Sequence, residues 1–239
     1  METMNTKDNN DKLTIVLVHG AFADGSSWRH VIPLLEQDGY GVIAVQNPLT
    51  SFADDVATTK RVIDAQKGPV VAVGHSYGGA VITSAAAGNP HVKALVYVAA
   101  FAPDAGEKIN ELLAKYGPTP LDAALVPDAA GFLYIDRAKF REVVAKDVSL
   151  AEAHVMAATQ KPIAGAAFGG SVDTPAWKTI PSWYLVAQED QAIKPELQRF
   201  MAKRIGAQMT EIKSSHAPFT SRPKEVAKLI KEAASAVAT

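Results

Sequence analysis

Residues 74–78 read Gly-His-Ser-Tyr-Gly, with Gly79 next, and this short run constrains the fold more than any other part of the chain. The apolar run Val70–Val73 leads into it and a helical stretch, Gly79–Ala87, leads out. Where a strand turns sharply into a helix, backbone packs on backbone, and glycines two places before and after the serine keep Cβ atoms out of that contact. The turn lifts Ser76 to a helix N-terminus, whose dipole and free N–H groups favour developing negative charge. An incidental serine in a glycine turn would show the same five letters. The flanking strand and helix signals favour a nucleophile instead.

The rest of the chain repeats that alternation. Short β-branched runs at Leu13–Val18, Val42–Val45, Val70–Val73, Ala94–Ala100 and Trp183–Ala187 read as strands buried on both faces, with a weaker one at Met209–Ile212. Between them, Trp28, Val31, Ile32 and Leu35 share a helical face that ends at Gly39. Val226, Leu229, Ile230, Ala233, Ala234 and Val237 form a similar stripe behind Pro223, which suits a first helical turn. Strands alternating with helices predict an α/β chain with a mostly parallel, doubly wound sheet. Residues 104–178 break the rhythm with five prolines and six glycines. Ser149 and Glu152 stand at capping-box spacing there, and Phe132–Ile135 reads as a short strand. Long structureless connections inside compact domains are uncommon unless functional, so this stretch is expected to be a cap, or lid. The expected organisation is one domain over 1–239, with core at 13–103 and 179–236 and the cap inserted at about 104–178.

Composition narrows the class. Across 239 residues the formal net charge is −1, which offers no field for nucleic acid or an anionic membrane. Cysteine is absent, so neither a disulfide nor a thiolate nucleophile is available. The first dozen residues are polar and no run is long enough to span a bilayer, which points to a cytoplasmic chain unless a natural leader has been trimmed.

Six histidines compete for the role of base. His19 and His75 belong to glycine turns, and an elbow of this kind directs His75 away from Ser76. His30 falls in the first helix, His91 in a loop and His154 in the cap. His216, in Ser214-Ser215-His216-Ala217-Pro218, follows the last strand and precedes the last helix, where a nucleophile–acid–base chain order places the base. Asp190 and Asp104 each follow a strand and both remain candidates for the acid, with Glu189 adjacent to the former. His19-Gly20-Ala21-Phe22 follows the first strong strand, and its turn can aim a backbone N–H at the nucleophile. The amides of Ala21 and Tyr77 are the expected oxyanion donors.

These residues resemble one branch of the α/β-hydrolase superfamily, the one containing plant methylesterases and hydroxynitrile lyases. The resemblance runs from about residue 13 to 236. It is carried by His19-Gly20-Ala21-Phe22 with Trp28, by Gly74 to Gly79, by Ala99-Ala100-Phe101-Ala102-Pro103-Asp104, and by Glu189-Asp190 with Ser215-His216. It implies a Ser76–His216–Asp190 triad, Ala21 and Tyr77 amides for the oxyanion, and no metal or other cofactor. Hydroxynitrile lyases of the branch carry lysine after the histidine and threonine after the first-motif histidine. This chain has Ala217 and Gly20, which places it on the esterase side. Esterases tend to carry methionine where Ala217 stands, so the resemblance does not imply a closely similar substrate.

The expected reaction is hydrolysis of a small, largely apolar carboxylic ester through an acyl-serine. Phe22, Phe132, Tyr134, Met156, Phe168 and Trp177, with Phe219, are the expected pocket lining, although such residues are more often core than pocket. The competing expectations are a hydroxynitrile lyase or cofactor-free oxygenase on the same scaffold, and a ligand receptor with vestigial hydrolysis. The only expected partner is the small-molecule ester, bound by a monomer or homodimer, with neither nucleic acid nor membrane involved.

Overall fold

The computed structural model describes residues 12–237. In chain order its first half comprises β1 (Thr14–Val18), a 3-10 turn (Gly25–Trp28), α1 (Ile32–Glu36), β2 (Gly41–Ala44), α2 (Phe52–Asp64), β3 (Val70–His75), α3 (Tyr77–Ala85) and β4 (Val92–Val98). An excursion follows with α4 (Ile109–Tyr116), β5 (Leu125–Pro127), β6 (Phe132–Ile135), α5 (Phe140–Val144), α6 (Leu150–Thr159) and β7 (Ile163–Ala164). The chain then returns through β8 (Ser182–Ala187), α7 (Pro195–Arg204), β9 (Gln208–Ile212), α8 (Pro218–Ser221) and α9 (Pro223–Ala236).

The main sheet runs β2-β1-β3-β4-β8-β9 and every pair in it is parallel. All six residues of β3 and of β8 are buried, which explains why their sequences show no polar alternation. Helices α1 and α9 pack together over the sheet, and α2 packs on α3. The buried face of α9 is the expected stripe of Val226, Leu229, Ile230, Ala233 and Ala234. The expected helix across Trp28–Leu35 is instead a 3-10 turn, capped by Asp24 through Ser26 N–H, followed by the short α1. Pro33 has no N–H to donate to residue 29, so an α-helix cannot run unbroken through this stretch.

The strand order reverses beside β1, because the chain goes from β1 out to β2 and then back to β3 on the other side. In such a sheet the loops after the two strands at the switch diverge and leave a crevice above their carboxyl ends. Here those loops begin at His19 and Ser76. The excursion between β4 and β8 carries an antiparallel sheet, β5-β6-β7, and it is fastened to the core on more than one side. Ala164 N–H donates to the carbonyl of Leu49 at 2.9 Å, and the Lys161 ammonium donates to the carbonyl of Asn47. On the other side Glu152 of α6 accepts from Arg29 and pairs with His30 at 2.6 Å. Among the described residues no helix is long and apolar enough to cross a membrane.

Helix α3 approaches β1 very closely. A Cβ on Gly78 would lie 2.5 Å from the Val18 carbonyl oxygen and 2.6 Å from that of His19. Gly78→Ala must therefore push a helix off a strand, and is expected to destabilise the protein by about 2 kcal/mol or more. A thermal melt showing a midpoint lower by several degrees checks this. An unchanged midpoint would mean that the contact yields freely.

Candidate active site

The turn after β3 places Ser76 at φ 52° and ψ −124°, a strained conformation for a residue bearing a Cβ. Three glycines make room for it. A Cβ on Gly74 would meet the Gly78 carbonyl at 2.5 Å, and one on Gly79 would meet the Phe101 carbonyl at 2.4 Å. The third is Gly78, already held against β1. The Ser76 carbonyl accepts from Gly79 N–H at 3.0 Å and from Phe101 N–H at 3.1 Å, which locks the turn onto the loop after β4.

Ser76 Oγ–H donates to His216 Nε2 at 2.9 Å, and His216 Nδ1–H donates to Asp190 Oδ2 at 2.7 Å. An ionised carboxylate only accepts, so Asp190 selects the imidazole tautomer that leaves Nε2 free to take a proton. Asp190 is buried and fully occupied. Its Oδ1 accepts from Ala192 N–H at 2.7 Å and Ile193 N–H at 2.9 Å, and its Oδ2 also accepts from Gln198 Nε2 at 2.8 Å. Gln198 is itself fixed, because its Oε1 accepts from Ala187 N–H at the end of β8. The rival carboxylates lie elsewhere. Asp104 pairs with Lys178 at 2.7 Å, and Glu189 faces Lys213 at 3.6 Å.

Two further histidines support the site, in neutral form. His19 Nδ1–H donates to the Gly20 carbonyl at 2.8 Å, and its Nε2 accepts from Asn47 N–H at 3.1 Å. This pins the Gly20–Ala21 peptide. Among the described residues the N–H groups of Ala21 and Tyr77 meet no protein acceptor. Tyr77 is the first residue of α3, where the amide lacks an intrahelical partner. The Tyr77 hydroxyl donates to Asp55 Oδ2 at 2.7 Å, and burial raises the pKa of both groups. His75 Nε2–H donates to the His216 carbonyl at 2.8 Å, and the two rings lie 4.7 Å apart. His75 therefore sits beside His216, a placement that its glycine turn did not announce.

Ser76 and His216 open onto a cavity of about 230 Å³ walled by the core loops and the excursion. Phe22, Met156 and Phe168 line it, as does Phe219. Phe132, Tyr134 and Trp177 do not. On β6 it is Leu133 and Ile135 that face the cavity, so Phe132 and Tyr134 belong to the opposite face of a strand whose side chains alternate. The Trp177 indole N–H donates to the Pro103 carbonyl at 2.9 Å, which holds that ring against the loop after β4. Leu113, Leu121, Leu125, Phe140, Val144 and Ile193 also contribute to the wall. No periodicity singles these out, because they come from separate pieces of chain. Among the described residues no group of three or more histidines, aspartates or glutamates converges as a metal site.

Known proteins resemble this chain along most of its length. The family described as the Alpha/beta hydrolase family matches residues 15–229. The Alpha/beta hydrolase nvfD of Aspergillus novofumigatus is 28% identical, over 93% of this chain and 97% of its own. Salicylic acid-binding protein 2 of Nicotiana tabacum is 25% identical, over 88% of this chain and 93% of its own. The crystal structure of a pyrethroid hydrolase from Sphingobium faniae superposes with a TM-score of 0.81 at 25% identity, covering 95% of this chain and 99% of that one.

The buried histidines set an acid limit on stability. Burial lowers His19 from 6.5 to about 4, and it holds His75 well below 6.5, with the nearby His216 acting in the same direction. Each therefore binds a proton more readily in the unfolded chain. Stability is fully present above about pH 6.5 and is lost as pH falls below it, by up to about 1.4 kcal/mol per pH unit for each histidine. Urea unfolding is expected to give a clearly lower midpoint at pH 5 than at pH 7, with a shallower pH dependence in His19→Asn. Equal midpoints at the two pH values would contradict the neutral assignment.

Proposed function

The chain belongs to the α/β hydrolase family, and on that premise we propose that it is a serine-dependent carboxylic ester hydrolase acting on a small, largely apolar ester. The observation that carries this is the hydrogen-bonded series Ser76–His216–Asp190 opening onto an apolar cavity beside two unoccupied amides. Ser76 Oγ attacks the ester carbonyl while His216 Nε2 takes its proton. Asp190 stabilises the resulting imidazolium, and the amides of Ala21 and Tyr77 receive the oxyanion. His216 then protonates the departing alcohol, leaving an acyl-serine. Water, activated by His216 in turn, releases the carboxylic acid and restores Ser76.

Cavity size and lining describe the ester. A cavity of about 150 Å³ is enough for benzene, so about 230 Å³ accommodates one aromatic ring, or a medium alkyl chain, together with the ester group. The one basic side chain among the lining residues besides histidine, Arg29, is already paired with Glu152. An uncharged substrate suits such a wall better than an anionic one. Against the lyase reading, a Cβ on Gly20 would lie 2.9 Å from both Ser76 Cβ and His75 Nδ1, and Ala217 is fully buried. A β-branched residue at the first position and an ammonium at the second would each displace neighbours.

The test is hydrolysis of a panel of aryl and methyl esters of short and medium acids. Ser76→Ala and His216→Ala are each expected to lower kcat by roughly 10⁴ or more, with Asp190→Asn not far behind. Cyanohydrin cleavage should be absent. Tight ligand binding without turnover, indifferent to Ser76, would replace the esterase reading with a receptor.

A further inference from the structure

The loop that carries His216 is gripped from two sides. On the core side the grip is the bond from His75 to the His216 carbonyl. On the excursion side it is Ser215, the residue immediately before the base. Ser215 Oγ lies 2.5 Å from Asp147 Oδ1 and 3.1 Å from the Val144 carbonyl. A hydroxyl has one proton to give, and the shorter contact to a carboxylate takes it. Ser215 is buried, and the second oxygen of Asp147, also buried, has no partner among the described residues. Asp147 stands between α5 and α6 and is hydrogen-bonded to neither Ser76 nor Asp190. Among the described residues its one side-chain hydrogen bond goes to the neighbour of the base.

We propose that Asp147 is a positioning residue for His216, resting on the esterase reading above for what His216 does. His216 has to keep Nε2 2.9 Å from Ser76 and Nδ1 2.7 Å from Asp190 at once, and a small shift of its backbone spoils both. Displacements of about 1 Å in such an arrangement cost on the order of a hundredfold in rate. The excursion supplies the anchor from the same piece of chain that walls the cavity, since Phe140 and Val144 of α5 line it while the Val144 carbonyl faces Ser215. The acyl group and the base are thus held by one short segment, and its packing against substrate and its hold on the histidine loop move together.

Three variants test this: Asp147→Ala, Asp147→Asn and Ser215→Ala. Each is assayed for kcat and KM on the best ester, and for the downfield proton resonance of His216 Nδ1–H in the resting protein. Asp147→Ala is expected to lower kcat about tenfold, the scale of one charge-assisted hydrogen bond, with KM within about twofold. The downfield proton should broaden or move. Asp147→Asn keeps a carbonyl oxygen for Ser215 and should recover most of the rate. Ser215→Ala should reproduce Asp147→Ala, and the double variant should be no worse than either single one. Ser215→Ala alone decides the matter where Asp147→Ala does not fold. Unchanged kcat with an unmoved resonance, an effect on KM alone, or additive losses would overturn the proposal. If no ester is hydrolysed at all, the esterase reading fails, while the resting resonance still reports whether Asp147 orders His216.

Discussion

The close approach of α3 to the strands beneath it governs this molecule. Gly74, Gly78 and Gly79 each occupy a place where a Cβ would fall within 2.6 Å of a backbone oxygen, so helix and sheet meet at a distance only glycine permits. That closeness gives Ser76 its left-handed backbone, leaves the Tyr77 amide without an acceptor among the described residues, and brings the loop after β1 beside the loop after β3. The all-parallel sheet, with its reversal beside β1, supplies the crevice. The glycines let Ser76 stand at its rim.

Charge inside the site is handled by fixed dipoles rather than by counter-ions. Asp190 is buried with four donors around it, two of them backbone amides and one the side chain of Gln198. His19 and His75 are buried in neutral form and each spends an N–H on a backbone carbonyl, at Gly20 and His216. Their role is to hold peptides still. Two loops that would otherwise be irregular gain a defined orientation, one carrying Ala21 and one carrying His216. Preorganised donors of this kind do not need to reorient as charge develops, which is where such sites obtain much of their effect.

The strands β1, β3, β4 and β8 were legible because burial on both faces leaves apolar runs with little polar alternation. Ser76 was legible because its turn follows such a strand, and His216 because its loop lies between the weaker last strand, β9, and the last long helix. Several helices were not, α2 and α7 among them. Helix α2 buries Phe52, Asp55, Thr59 and Ile63, and α7 buries Leu197, Gln198, Met201 and Ala202. In each case polar residues interrupt the apolar stripe that marks a buried helix face. Those polar residues are not incidental. Asp55 accepts from the Tyr77 hydroxyl, Thr59 from α2 donates to Asn47, and Gln198 donates to Asp190. These two helices escaped notice while bearing groups that support the site. On β6, the aromatic residues suggested a pocket, but the strand's alternation turned Leu133 and Ile135 inward instead.

The apolar wall of the cavity also bears on the fate of the product. On the esterase reading a neutral ester enters a space whose wall is mainly apolar, and where Arg29 is already committed to Glu152. On the proposed chemistry, water turns that guest into a carboxylate, which regains its hydration only by leaving. The same surface that welcomes the molecule before cleavage is a poor host for it afterwards. Turnover would then carry its own exit signal, with no moving part needed to tell spent substrate from fresh.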